Sequence, residues 1–117
     1  MEHTIIEDSD YRIEYFPDTI TCNLKGSLRL NGAKEYKAIA TLLDNIVKES
    51  PERVTLDLKE LKFLNSSGIS MLSKFVISAR KAKIIKVTVL GSNDLPWQGK
   101  SLKNLQKLLP SLKLELQ

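Results

Sequence analysis

Three features of this 117-residue sequence predict an α/β fold built on a single mixed β-sheet. Short runs in which apolar and polar residues alternate have the period of strands. Longer runs in which apolar residues recur every three or four positions have the period of helices. The two patterns then follow one another in the order β-β-α-β-α-β-α-β, so successive β-α-β units demand parallel strands and the opening pair adds an antiparallel hairpin.

Taken in order, residues 1–10 are acidic and carry no periodic pattern, and they read as a flexible or loosely packed N-terminus to one domain spanning 1–117. Tyr11, Ile13 and Tyr15 alternate with Arg12 and Glu14, Pro17-Asp18 turns, and Ile20, Cys22 and Leu24 alternate in a second strand broken by Gly26. Cys22 shares a face with Ile20 and Leu24, which makes it a small core residue and not a reactive thiol. Asn31-Gly32 opens a helix to about Lys48, with Tyr36, Ile39, Ala40, Leu43, Ile46 and Val47 as its buried stripe, and Ser50-Pro51 ends the unit.

The central stretch is Arg53–Lys83. Val54, Leu56 and Leu58 form a strand, Leu61, Phe63 and Leu64 carry the apolar run onward, and Ile69, Leu72, Phe75, Val76 and Ala79 recur at helical spacing. The period changes at Asn65-Ser66-Ser67-Gly68, whose three polar residues are all good N-caps. Ile84–Leu90 is a further strand stopped by Gly91. Leu102, Leu105, Leu108 and Leu109 mark a last helix ended by Pro110, and Leu112, Leu114 and Leu116 alternate in a final strand.

The run Leu56-Asp57-Leu58-Lys59-Glu60-Leu61-Lys62-Phe63-Leu64-Asn65-Ser66-Ser67-Gly68-Ile69 resembles the signature of STAS domains of the bacterial anti-sigma-factor antagonist type. That family follows an apolar strand with Asp-Ser-Ser/Thr-Gly-Leu/Ile and a helix, and its element order is the one read above. The resemblance implies a cytoplasmic, phosphorylation-controlled binding protein in a partner-switching pathway. Its phosphoacceptor would be Ser67, with Ser66 as the second candidate. Its partners would be a serine kinase that doubles as an anti-sigma-type regulator and an opposing serine phosphatase. Two positions depart from the family pattern: Asn65 replaces an aspartate, and Arg29 follows Gly26-Ser27-Leu28 where an aspartate is usual. Both departures make the loop more favourable to a phosphate or an anionic ligand. They leave open a variant antagonist with altered partner choice and a binder that is never phosphorylated.

A bland alternative stands beside this reading. The serines cap the central helix and nothing more, and the chain is a constitutive STAS subunit, for example of a transport complex. Gly68 belongs to the loop in either case. Parallel strands bring their helix N-termini to one sheet edge, so Lys100 is expected near Ser67. Gly99-Lys100-Ser101 is not a P-loop, because position 94 is Asp94 where that motif needs glycine. The face of the central helix opposite its apolar stripe carries Ser70, Lys74, Ile77, Ser78 and Lys81, and Ser70, Lys74, Ile77 and Lys81 are the expected partner-binding residues.

Composition narrows the function classes. One cysteine gives no internal disulfide, and one histidine gives no metal cluster. No run approaches membrane-spanning length and no signal peptide is present, which predicts a cytoplasmic protein without membrane insertion. Residues 1–60 hold 8 Lys and Arg against 12 Asp and Glu, while residues 61–117 hold 10 against 2, so the halves carry −4 and +8. Arg80, Lys81, Lys83 and Lys86 lack interleaved aromatics and a nucleic-acid motif, and no nucleic-acid partner is predicted. No Ser-His-Asp set or carboxylate pair suggests an enzyme or a cofactor.

Overall fold

Alternation leaves each strand one apolar face, and the computed structural model, which describes all 117 residues, buries those faces together. The elements are β1 (Thr4–Glu7), β2 (Tyr11–Phe16), β3 (Thr21–Leu28), α1 (Gly32–Glu35), α2 (Lys37–Lys48), β4 (Arg53–Asp57), β5 (Leu61–Leu64), α3 (Ser66–Ala82), β6 (Lys86–Gly91), α4 (Pro96–Leu108) and β7 (Lys113–Leu116). The sheet runs β1-β2-β3-β4-β6-β7, with β5 pairing β3 beyond β4. The first two pairings are antiparallel and the remainder parallel. This is the predicted α/β architecture with a single mixed sheet.

Register puts the apolar residues in rows. Tyr15, Cys22, Leu56 and Val89 lie side by side across four strands, as do Ile13 with Leu24 and Val54 with Val87. All eight are buried, and α2, α3 and α4 cover them, α3 in the middle touching both neighbours. The opposite face, with Glu14, Asn23 and Asp57 in one row, stays partly exposed. No helix is long and apolar enough to cross a membrane.

The elements differ from the sequence reading in five places. The apolar run read onward from Val54 to Leu64 is two strands, since β4 ends at Asp57 and the chain turns before β5 starts at Leu61 and pairs with β3 alone. Thr4–Glu7 is not a loose tail; it pairs along β2 as an antiparallel edge strand, with Ile6 partly buried against the core. Its four residues are too few for alternation to show. Gly26 does not end β3 but sits in a bulge, at φ 90°, with its N–H donating to the Glu60 carbonyl at 2.9 Å. A side chain there would collide with the Asp10 carbonyl. The helix expected from Asn31 to Lys48 is broken at Tyr36 into α1 and α2. Finally, α4 begins at Pro96, where a missing N–H costs nothing, so Gly99-Lys100-Ser101 lies inside the helix and not at its head.

Cys22 is fully buried, as its place in the strand suggests, and burial pushes its thiol up to about 12. The folded state therefore holds this proton more tightly than the unfolded chain does. The contribution is intact below about pH 8.5 and is lost as pH rises toward the folded value, at up to about 1.4 kcal/mol per pH unit. Burial also raises the Tyr15 and Tyr36 phenols above their ordinary value. A Cys22→Ala comparison isolates the thiol: denaturant titrations between about pH 9 and 11 should show a shallower loss in the variant. Parallel curves would remove the thiol from the account.

Candidate functional site

The parallel strands deliver their connections to one edge of the sheet, and there β5 hands over to α3. Asn65 leaves the strand with extended backbone (φ −82°, ψ 177°) and is the N-cap. Its amide oxygen accepts the Gly68 N–H at 3.0 Å, and its amide nitrogen donates to the Leu30 carbonyl at 2.7 Å. The Tyr36 hydroxyl places its proton between two acceptors, Asn65 Oδ1 at 2.7 Å and the Leu28 carbonyl at 3.1 Å. Tyr36 itself is buried, and burial raises its phenol above the ordinary value. One side chain thus ties the exit of β3, the joint between α1 and α2, and the start of α3.

Gly68 completes the arrangement by its size. Its helical backbone needs no special freedom, but a Cβ would strike the Leu64 side chain and approach the Tyr36 hydroxyl to 2.8 Å. Any larger residue would push Tyr36 away from Asn65.

Because Asn65 caps α3, the two serines are not caps. Ser66 and Ser67 occupy the first two helical positions, and neither hydroxyl bonds to a protein group. Ser66 is exposed and Ser67 half-buried. The first turn of α3 holds no acidic residue, whereas Arg80 and Lys81 lie in its last turn. The N-terminal end of the helix dipole is therefore uncompensated, a setting that favours an anion.

Ser67 opens onto a cleft of about 320 Å³ between α2 and α3. Tyr36, Leu43, Met71 and Phe75 form its floor, Ser67, Ser70 and Lys74 its α3 wall, and Asp44 stands on the α2 side. The expected docking stripe is divided by this geometry. Ser70 and Lys74 face the cleft, while Ile77 and Lys81 do not line it. Ile77 is half-buried and not fully exposed, yet it stays outside the core. At about 100° per residue it lies within some 20° of Ser70 around the helix but about two turns further along, so it continues the outward face of α3 beyond the end of the cleft.

Neither Arg29 nor Lys100 makes a side-chain hydrogen bond or ion pair with the loop. Arg29 lies just past β3, at the same sheet end as Ser67, but its guanidinium stacks on the Phe63 ring at 4.7 Å. Lys100 is exposed on α4, which meets the sheet edge through Trp97, whose Nε1–H donates to the Leu61 carbonyl at 3.1 Å. Next to it, the fully buried Gln98 donates to the Leu58 carbonyl at 2.6 Å and to Leu61 at 3.2 Å, and accepts the Ser92 N–H at 2.7 Å. The sequence reading missed Gln98 and Asp44, and took Tyr36 only as a core residue. The available signal was Tyr36's polar tip within an apolar stripe, since a buried tyrosine hydroxyl usually finds a partner.

The Asn65 geometry predicts the effect of restoring an aspartate. Asn65→Asp would set a carboxylate oxygen against the Leu30 carbonyl, a loss of about 1–3 kcal/mol, against a gain of about 0.3–1 kcal/mol from the helix dipole. The variant should be less stable than the parent at neutral pH. A protonated carboxyl can donate to Leu30, so the folded state raises the carboxyl pKa and the deficit should narrow near pH 4. Denaturant midpoints at the two pH values test this; equal stability at neutral pH would refute it.

No family model matches the chain, and no curated protein matches its sequence. Solved structures do match it in shape. Apo-SiaC from Pseudomonas aeruginosa aligns with a TM-score of 0.76 at 15% identity, over 100% of this chain and 99% of that one. SiaC in complex with the diguanylate cyclase SiaD, which it activates, aligns at 0.74 and 10% identity, over the whole of both chains. An anti-sigma factor antagonist from Mycobacterium paratuberculosis aligns at 0.60 and 18% identity, over 96% of this chain and 84% of that one. At such identities the likeness is one of fold, and the fold of this chain is STAS-like.

Proposed function

We propose that this chain is a phosphorylation-controlled protein-binding regulator, similar to an anti-sigma-factor antagonist in a partner-switching pathway, with Ser67 as the phosphoacceptor. The observation that carries the proposal is the unpartnered Ser67 hydroxyl at the head of a helix whose cap is another residue. A hydroxyl with no structural bond to lose is free to be modified. Asn65 already fills the capping role that the constitutive reading gave the serines.

A phosphate on Ser67 adds about −1.5 to −2 charges and three acceptor oxygens to an uncompensated helix N-terminus. It strengthens α3, so its signal is carried at the surface. Ser70, Lys74, Ile77 and Lys81 of α3 form the partner-binding face: the lysines steer an acidic partner, Ile77 anchors it, and the phosphate repels it. The partners are a serine kinase of the anti-sigma-regulator type and an opposing serine phosphatase, acting in the cytoplasm. The two kinds of structural neighbour, an activator of a cyclase and an antagonist of an anti-sigma factor, support protein binding as the common activity. The chain itself performs no catalysis.

Phosphate mapping on protein from its native host tests the acceptor: a modified fraction should appear at Ser67 under some growth condition. In paired pull-downs, Ser67→Ala should retain a partner that Ser67→Asp releases, and Lys74→Glu or Ile77→Glu should also lose it without lowering the melting temperature much. The modified chain should melt no lower than the unmodified one. A change in partner affinity below about 1 kcal/mol on modification would mean that the loop is not the switch.

A further inference from the structure

The cleft between α2 and α3 has the make-up of a ligand site in its own right. Its volume of about 320 Å³ lies within the range of small-molecule pockets. Two alanines, Ala33 and Ala40, line it where larger side chains would fill it. The floor is apolar and partly aromatic. The donors, by contrast, all sit on one wall. Ser67 and Ser70 offer hydroxyls without protein partners, Lys74 makes no ion pair, and of the first N–H groups of α3 those of Ser66 and Ser67 have no protein acceptor. Asp44 is the one carboxylate at the rim, exposed and likewise unpaired.

We propose that this cleft binds a small organic anion with an apolar body, a carboxylate or a phosphate monoester. The body lies on Tyr36, Leu43, Met71 and Phe75. The head group takes the hydroxyls of Ser67 and Ser70 and pairs with Lys74. A single carboxylate on the α2 side does not offset a cation, two hydroxyls and a helix N-terminus together. Bound ligand covers the Ser67 hydroxyl; insofar as that serine is the phosphoacceptor proposed above, ligand and kinase compete for it. Tyr36 carries the effect further, because its ring forms the floor while its hydroxyl holds Asn65.

Anilinonaphthalene sulfonate, an anionic aromatic dye, is a suitable probe on the intact chain. Its fluorescence should rise and saturate with the native protein. Lys74→Glu should weaken binding by about fivefold or more, as loss of a charge pair to a partly desolvated anion requires. Asp44→Asn should tighten it, Ser67→Asp should weaken it, and Ala40→Trp should remove the saturable component by filling the space. Ile84→Lys, at an exposed apolar side chain far along the chain, should change nothing. Thermal melts establish that each variant is folded, and dye-induced shifts of the Met71 methyl resonance locate the site independently. Saturation that survives Ala40→Trp and Lys74→Glu at parental affinity, or no saturation at all, would overturn the proposal. Absence of phosphate at Ser67 in the host would defeat the regulatory reading while leaving dye binding as it is.

Discussion

Most of what distinguishes this molecule depends on one primary amide. Asn65 must accept the Gly68 N–H and the Tyr36 hydroxyl with its oxygen while donating to the Leu30 carbonyl with its nitrogen. A carboxylate has no proton for Leu30, and a serine or threonine hydroxyl is too short to span both partners. A satisfied hydrogen bond contributes only about 1 kcal/mol net, but a buried partner left alone costs about 1–3 kcal/mol. The constraint is therefore asymmetric: the amide adds little by being present and costs much by being replaced. Tyr36 and Gly68 follow from it, one supplying the second donor and the other leaving room for it.

The same device recurs one strand over. Gln98 sits fully buried and joins the Leu58 and Leu61 carbonyls to the Ser92 N–H, spanning the β4–β5 break and the exit of β6. Parallel strands all discharge their loops at one edge, where backbone groups have left the ladder without entering a helix. Buried amide side chains, with donor and acceptor on one short stem, suit that place. Gly91 accommodates Gln98 as Gly68 accommodates Tyr36, since a Cβ at Gly91 would lie 2.6 Å from Gln98 Oε1. Rigid joints at this edge free the serines of α3 from structural work and hold the cleft beside them open.

Periodicity made the sheet and three main helices legible, because rows such as Tyr15, Cys22, Leu56 and Val89 impose alternation on each strand separately. It failed where pattern is too short or is overridden. Thr4–Glu7 has one pairing partner and four residues. The helical stripe ran unbroken through Tyr36, since a kink that serves a hydroxyl leaves the apolar spacing intact. Pro96 reads as a loop residue until it is seen at the first position of a helix. At the site, Asn65, Ser66, Ser67 and Gly68 were visible as a change of period, but not the division of labour among them. All three polar residues suit an N-cap, and only the position of Leu30 and Tyr36 selects Asn65. Asp44 was invisible for a simpler reason: it is an exposed acid on a helix, and its interest comes from what faces it.

Charge links the two positions at which the sequence departs from the STAS pattern it resembles. With Asn65 in place of an acid, Arg29 in place of another, and no acid in the first turn of α3, the head of that helix carries no negative charge of its own. Adding a doubly charged group to such a place changes its sign; adding it beside two carboxylates would only deepen an existing field. The gain to the helix from the dipole is about 1–2 kcal/mol, too little to rearrange a core in which Leu72, Phe75, Val76 and Ala79 are almost wholly buried. Any larger consequence must come from a body outside the fold that meets the altered charge directly. Under the proposed modification the chain's own shape would stay unchanged, and a rigid amide hub beneath two free hydroxyls is consistent with that.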